Sequence, residues 1–300
     1  MSAHAIPRLA PSAVLELLKP VTWFPPCWAF LCGVVSAGVP QWSQMGGHIG
    51  VIALGVLLCG PMVCATSQAI NDWHDRHVDA INEPNRPIPS GRIPGRWGLA
   101  IAWLWAGLSL LVALALGPVV FAATLLGLFF AWAYSAPPLR LKLNGWFGNA
   151  ACGLCYEGLA WVTGAAVMLN GAVPSAEVFW LAGLYSVATI GIMVLNDFKS
   201  IEGDRRMGVG SLPVRLGPER AARVACWFML VPQAVVAGLL LAWGLPWAAP
   251  LIVLLMTAQL ACIPRLLRDP RGQAPWYNAT GVGLSVLGMM VSAVAVRWLA

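Results

Sequence analysis

Seven of the twelve acidic residues sit in two short clusters, Asp72, Asp75, Asp79 and Glu83 in NDWHDRHVDAINEP and Asp197, Glu202 and Asp204 in NDFKSIEGD. Each cluster follows an apolar run. A carboxylate at the centre of a membrane helix costs about 2.5–3.5 kcal/mol on insertion scales, so several at the ends of apolar spans point to a cationic ligand. At 100° per residue the four acids of the first cluster fall within about 80° of arc, a single stripe. Four anions on one stripe repel one another unless a cation lies between them. Carboxylate oxygens suit Mg²⁺, which keeps several waters and shares its remaining sites with substrate phosphates. The alternative is a solvated helix end laced to Arg76 and Arg86. In the second cluster Asp197 and Asp204 share a face if the helix continues, while Glu202 points about 140° away from Asp197. Gly203 is a candidate end for that helix, and Glu202 could instead pair with Arg205 or Arg206.

Between the clusters, YSAPPLRLKLNGWFGN at 134–149 carries Tyr134, Arg140 and Lys142 on a proline-broken connection, and NRPIPSG carries Arg86. A metal together with Arg and Lys is what holding a diphosphate and stabilising its departure requires. For Arg140 and Lys142 simple topology marking is the other reading. Cys152-Gly-Leu-Cys155 has redox-motif spacing, but all eight cysteines lie inside apolar runs and read as buried small hydrophobes, with no disulfide and no thiolate metal site expected. No Ser-His-Asp or Cys-His arrangement stands out.

The elements that position these residues must be membrane helices. With 59% hydrophobic and 10% charged residues among 300, the chain is far more apolar than a soluble domain. Nine apolar runs are candidate spans, near 21–40, 49–70, 98–116, 118–135, 147–168, 177–195, 221–243, 247–264 and 279–297. The expected fold is an all-α, polytopic bundle forming one integral-membrane domain over 1–300, with 1–19 as a cytoplasmic N-terminal segment. Seventeen of the eighteen cations fall on one side of these spans, Arg8 and Lys19 among them, and only Arg297 on the other. Lys and Arg mark cytoplasmic loops, so the N-terminus and both acidic clusters are expected in the cytoplasm and the C-terminus opposite. The net charge of +6 is thereby explained without nucleic acid, leaving an anionic ligand or membrane lipid as partner. No secretory signal is recognisable, and the first nineteen residues are short for a transit peptide. QAIND and MVLND end the second and sixth spans, which suggests two four-helix halves plus a ninth helix.

NDWHDRHVDAINEPNRPIPSG resembles the N-D-x-x-D-x-x-x-D signature of the UbiA-type intramembrane prenyltransferases, and NDFKSIEGDRRMGVGSLPVRLG resembles their second acidic motif. The fuller strings, with YSAPPLRLKLNGWFGN, resemble the chlorophyll synthase branch, and the lack of a long transit peptide favours a bacterial member. The resemblance implies a bundle opening to the cytoplasm, with two Mg²⁺ ions holding an allylic diphosphate between the acidic motifs. It places Asp72, Asp75, Asp79, Asp197, Glu202 and Asp204 at the metal, and Asn71, Arg86, Tyr134, Arg140, Lys142, Asn196 and Lys199 at or near the diphosphate. Catalysis would rest on Asp72, Asp75, Asp79, Arg140 and Lys142. Many members space the second motif as D-x-x-x-D, whereas position 201 here is Ile201, which leaves open whether Glu202 or Asp204 reaches the metal.

The branch further implies a geranylgeranyl or phytyl group esterified to the propionate of chlorophyllide or bacteriochlorophyllide, in a bacterial inner membrane of the photosynthetic intracytoplasmic type. Pigment-biosynthesis or photosystem-assembly proteins are the protein partners it suggests. Such a carboxylate is already ionised at neutral pH, so no catalytic base is required. His74 or His77 could ligate the macrocycle's Mg²⁺, against a plainer reading as helix surface or hydrogen-bonding partner. Three rivals remain: prenylation of a quinone precursor or haem, a transporter using its carboxylates for cations, and a pigment carrier. Both clusters lie at one face rather than the midplane, which argues against transport, and a carrier would need neither cluster.

Overall fold

The computed structural model describes residues 9–38 and 45–299; Arg8, the end of the first expected span at 39–40 and the loop 41–44 lie outside the described residues. A short helix α1 (Pro11–Leu17) leads into α2 (Phe24–Ser36) and α3 (Met45–Leu57). Then follow α4 (Ala65–Asn82), α5 (Trp97–Leu116), α6 (Pro118–Ser135), α7 (Gly145–Gly153), α8 (Ala160–Met168) and α9 (Ala176–Asn196). The chain closes with α10 (Ile201–Met207), α11 (Leu212–Leu216), α12 (Pro218–Ala242), α13 (Ala249–Arg268), α14 (Pro270–Ala279) and α15 (Gly281–Val296). Among the described residues eight helical stretches are long and apolar enough to cross a membrane, and α2 is a shorter apolar one.

Two of these stretches are built from helices joined by a wider π-helical turn. Leu58–Cys64 joins α3 to α4, and Leu154–Leu159 joins α7 to α8. The first contains Pro61, which has no N–H and would clash with the preceding turn of a regular helix; the widened turn accommodates it, and Trp105 Nε1 donates to its carbonyl at 3.1 Å. Consequently α4 continues without a break through the acidic cluster to Asn82, well beyond the expected end near 70.

The core lies between α2, α8 and α9, where Phe30, Trp161, Leu181 and Tyr185 are buried. Close approach of α2 to α8 depends on Gly33 and Gly164, since a Cβ on either would come within 2.0 Å of a carbonyl oxygen of the other helix. Outward-facing Leu, Phe, Val and Trp side chains are exposed along α5, α6, α12 and α13, as lipid contact requires. A buried amide pair joins α12 to α13, with Gln233 Nε2 donating to Gln259 Oε1 at 2.8 Å. Helix α13 packs against both α12 and α15, with 17% of its apolar stretch buried.

One end of the bundle gathers the polar segments. The start of the chain meets the α4–α5 connection through Arg92, whose guanidinium donates to both carboxylate oxygens of Glu16 at 2.6 and 2.8 Å. The α6–α7 connection meets the segment before α11 through backbone bonds, Gly145 N to Gly210 O at 2.9 Å and Gly210 N to Leu143 O at 3.0 Å. Arg271, in the first turn of α14, reaches Glu202 on α10 at 3.4 Å.

Candidate active site

Helix α4 supplies the first acidic stripe. Asp72 and Asp79 are buried, Asp75 is half-buried, and Glu83 caps the helix outside helical backbone geometry, exposed. A basic residue answers each. Lys19 Nζ donates to Asp72 Oδ1 at 2.6 Å, Lys142 Nζ to Asp75 Oδ1 at 2.5 Å, and Arg86 Nη1 to Asp79 Oδ2 at 2.9 Å. Arg86 also approaches Asp72 Oδ1 at 3.4 Å and binds Glu83 through Nε. Burial alone would lower the Arg86 pKa, but Glu83, Asp72 and Asp79 outweigh it and hold the pKa above its ordinary value. Asn71 Nδ2 donates to Asp75 Oδ2 at 3.0 Å and to Ser135 Oγ at 3.2 Å, fixing α4 against the end of α6.

Lys142 is placed by its own motif. Asn144 caps α7, accepting from Trp146 N at 2.9 Å and Phe147 N at 3.4 Å, and so starts the helix directly after the turn Leu141–Leu143. That turn rests on Gly148, where a Cβ would stand 3.2 Å from Lys142 Cα and 3.3 Å from Leu141 O. Arg140 has left-handed backbone, φ 41°, and forms no side-chain hydrogen bond or ion pair with described residues.

In the second motif the helix gives way at Asp197 to a tight turn, Asp197–Ser200, before α10 begins, so a single helical face does not run from Asp197 to Asp204. Gly203 lies inside α10, and Gly208, at φ 70°, ends it. Asp197 accepts from Asn149 Nδ2 at 3.3 Å, and Asp204 is buried and accepts from Ser200 Oγ at 3.0 Å. Glu202 is exposed and ion-paired with Arg271 at 3.4 Å and Arg205 at 3.6 Å. Asn196 accepts from Asn278 Nδ2 at 3.0 Å, and Lys199 is exposed. Tyr134, within electrostatic reach of both Asp75 and Asp197, stands between the motifs.

Asn71 and Tyr134 form the polar mouth of a cavity of about 250 Å³ that extends among α4, α6 and α7 past Phe130, Cys152, Met193 and Gly127. A smaller apolar pocket lined by Leu58, Thr124 and Leu159 adjoins its far end. His77 is exposed; His74 stacks edge-on against Trp132 at 6.3 Å with its Nε2 buried and unpartnered. Reading the sequence did not single out Lys19 as a site residue: it lies 53 residues from Asp72, and nothing local marks the pairing. The same holds for Gln68 and Tyr156, which also line the cavity.

Among the described residues no three His, Cys, Asp or Glu side chains converge on one point as metal ligands would, and Lys19, Arg86 and Lys142 take up the carboxylates instead. The donor set nevertheless fits Mg²⁺. It is all oxygen, and Asp72 Oδ2 is buried with no hydrogen-bond partner, an orphan that a hard cation would satisfy.

A helical membrane bundle with an acidic stripe and fixed cations adjoining an apolar cavity through Asn71 is the arrangement an intramembrane group-transfer site requires. The chain belongs to the UbiA prenyltransferase family, whose model matches residues 22–293. It is 56% identical over 299 residues to the bacteriochlorophyll synthase 33 kDa chain of Cereibacter sphaeroides, covering 100% of this chain and 97% of that one. It is 39% identical to the chloroplastic chlorophyll synthase of Oryza sativa, over 94% of this chain and 76% of the relative. A solved UbiA homologue from Archaeoglobus fulgidus bound to GPP and Mg²⁺ has the same fold, with TM-score 0.70, 24% identity and 91% and 99% of the two chains covered.

Proposed function

We propose that this chain esterifies the propionate of bacteriochlorophyllide or chlorophyllide with a geranylgeranyl or phytyl group from the allylic diphosphate, releasing diphosphate. The observation that carries the reading is that the acidic stripe of α4, with Lys142 and Arg86 across it, adjoins an apolar cavity through Asn71, which lines the cavity and donates to Asp75 at 3.0 Å. The relatives named bacteriochlorophyll and chlorophyll synthase support the acceptor class.

Asp72, Asp75 and Asp79, with Asp197 and Asp204 opposite, would hold Mg²⁺, in the number of two ions that two motifs suggest; Glu202 is the weakest candidate, being exposed and paired elsewhere. When bound, Mg²⁺ neutralises charge on the diphosphate and on its departing oxygen. Lys19, Arg86 and Lys142 now pair with carboxylates, and each would turn to diphosphate oxygens; Arg140, unpaired, would need no exchange. Fixed cations of this kind stabilise a leaving anion without reorganising solvent. Asn71, Tyr134, Asn196 and Lys199 would border the diphosphate. The wall beyond Tyr134 would surround the prenyl chain and keep water from the allylic carbon. The acceptor arrives as a carboxylate, so no residue need remove a proton. With both motifs at the cation-rich end, the site faces the cytoplasm of a bacterial inner membrane, intracytoplasmic in a phototroph.

The test is conversion of bacteriochlorophyllide a to its ester by purified protein with geranylgeranyl diphosphate, with Mg²⁺ and with excess EDTA. Magnesium-dependent ester supports reaction and metal together. No ester, with prenylation of a quinone precursor by the same protein, would overturn the acceptor class.

A further inference from the structure

The cavity wall carries one polar pair that diphosphate chemistry does not use. Gln68 precedes Asn71 by one turn of α4, about 4.5 Å along the axis at 1.5 Å per residue. Its Nε2 donates to the hydroxyl of Tyr156 at 3.3 Å, and Cys64 Sγ lies 4.0 Å from the same oxygen. Both Gln68 and Tyr156 line the cavity. Gln68 is the donor to this oxygen; the Cys64 thiol turns its one proton to Thr22 O at 3.4 Å, so the phenol proton has near it only a distant, weak sulfur acceptor that a carboxylate would outcompete. The neighbouring hydroxyl of Ser67 is occupied, donating to Cys64 O at 2.7 Å.

We propose that Tyr156, oriented by Gln68, binds the carboxylate of the acceptor and aims its free oxygen at the allylic carbon of the donor; the proposal rests on the ester-forming reading above. A carboxylate entering an apolar cavity without a partner is costly. Lys19, Arg86 and Lys142 all lie on the diphosphate side. A cation on the nucleophile would lower its reactivity and attract the diphosphate, whereas a neutral O–H gives a charge-assisted bond to one carboxylate oxygen and leaves the other to react. That second oxygen donates a lone pair to form the C–O bond to the allylic carbon. The bond from that carbon to diphosphate breaks with its electron pair leaving on the diphosphate. No proton moves, and Tyr156 keeps its own.

The experiment uses the full-length protein in detergent, with Tyr156→Phe and Gln68→Met. Binding of bacteriochlorophyllide a is followed by pigment fluorescence and compared with that of its propionate methyl ester. Tyr156→Phe is expected to weaken the free acid about tenfold, the loss of one hydrogen bond to a charged group. Binding of the methyl ester should not change, and Gln68→Met should fall between. KM for the acceptor should rise while KM for geranylgeranyl diphosphate holds. Equal losses for acid and methyl ester would make the pair merely structural, and a rise confined to the donor KM would assign it to the prenyl path; either result overturns the proposal. Wild-type protein that forms no ester from the acid overturns the functional reading, and the proposal with it, before any variant is made.

Discussion

Asp72→Asn and Asp75→Asn keep the size of the side chain and remove its charge, so they separate a metal role from a packing role. Each is expected to lower turnover more than about a hundredfold, since losses one step further from a metal already cost about ten- to hundredfold. The protein should still elute from size exclusion as a folded monodisperse species; near wild-type rates in both would sink the metal assignment. Lys142→Ala should weaken donor binding about ten- to hundredfold, the range for a hydrogen bond to a charged group, and leave acceptor binding nearly unchanged. Equal losses for both substrates would remove Lys142 from the diphosphate site. At this scale the sequence was most informative for residues on one helical stripe. Asp72, Asp75 and Asp79 could be placed together because helical spacing alone puts them on one face. Lys19 could not, because a contact across 53 residues leaves no trace in spacing, and Glu202 and Asp204 could not be separated without knowing that the helix tightens at Asp197–Ser200.

Helix α1 and the α4–α5 connection form a strap whose exposed tie is the Glu16–Arg92 pair. The bond from Arg92 holds the Glu16 carboxyl below its usual pKa, so the folded strap favours the charged form. Its stabilising share is therefore full above the ordinary carboxyl range and is lost as pH falls through the folded value. Cleavage within residues 11–19 by an acid-active protease should rise between about pH 5 and pH 3 in the wild type, beyond the protease's own pH response. Glu16→Gln should start at the higher level and show no such rise; identical profiles would dismiss the tie. The apolar runs marked most spans closely, because length and hydropathy decide them. They marked the second poorly: α4 carries its carboxylates on a helix that outlasts its apolar residues, and hydropathy cannot register a helix held by Lys19, Arg86 and Lys142. The π-helical turns were equally hidden, since only Pro61 hints at the first and no proline marks the second.

For the molecule as a whole, the exchange of internal ion pairs for ligand predicts a linked stabilisation. Mg²⁺ alone must compete with Lys19, Arg86 and Lys142 for the carboxylates, and diphosphate alone must overcome those same carboxylates. Together they should raise Tm in detergent by more than the sum of their separate effects, at saturation worth about 2.7 kcal/mol at a hundredfold excess over Kd. Additive shifts would show that the ion pairs do not compete with the metal. A different consequence follows from the Gln233–Gln259 pair. During synthesis α12 precedes α13; Gln233 Nε2 already donates to Met229 O within α12 at 2.9 Å, whereas Gln259 on α13 reaches Gln233 and Met229 only across the helix pair. The α12–α13 hairpin is therefore the smallest unit that pairs the Gln259 amide with Gln233 and Met229. The pairing favours an order of biogenesis in which α13 settles beside α12 on insertion and meets α15 afterwards, when that helix is made.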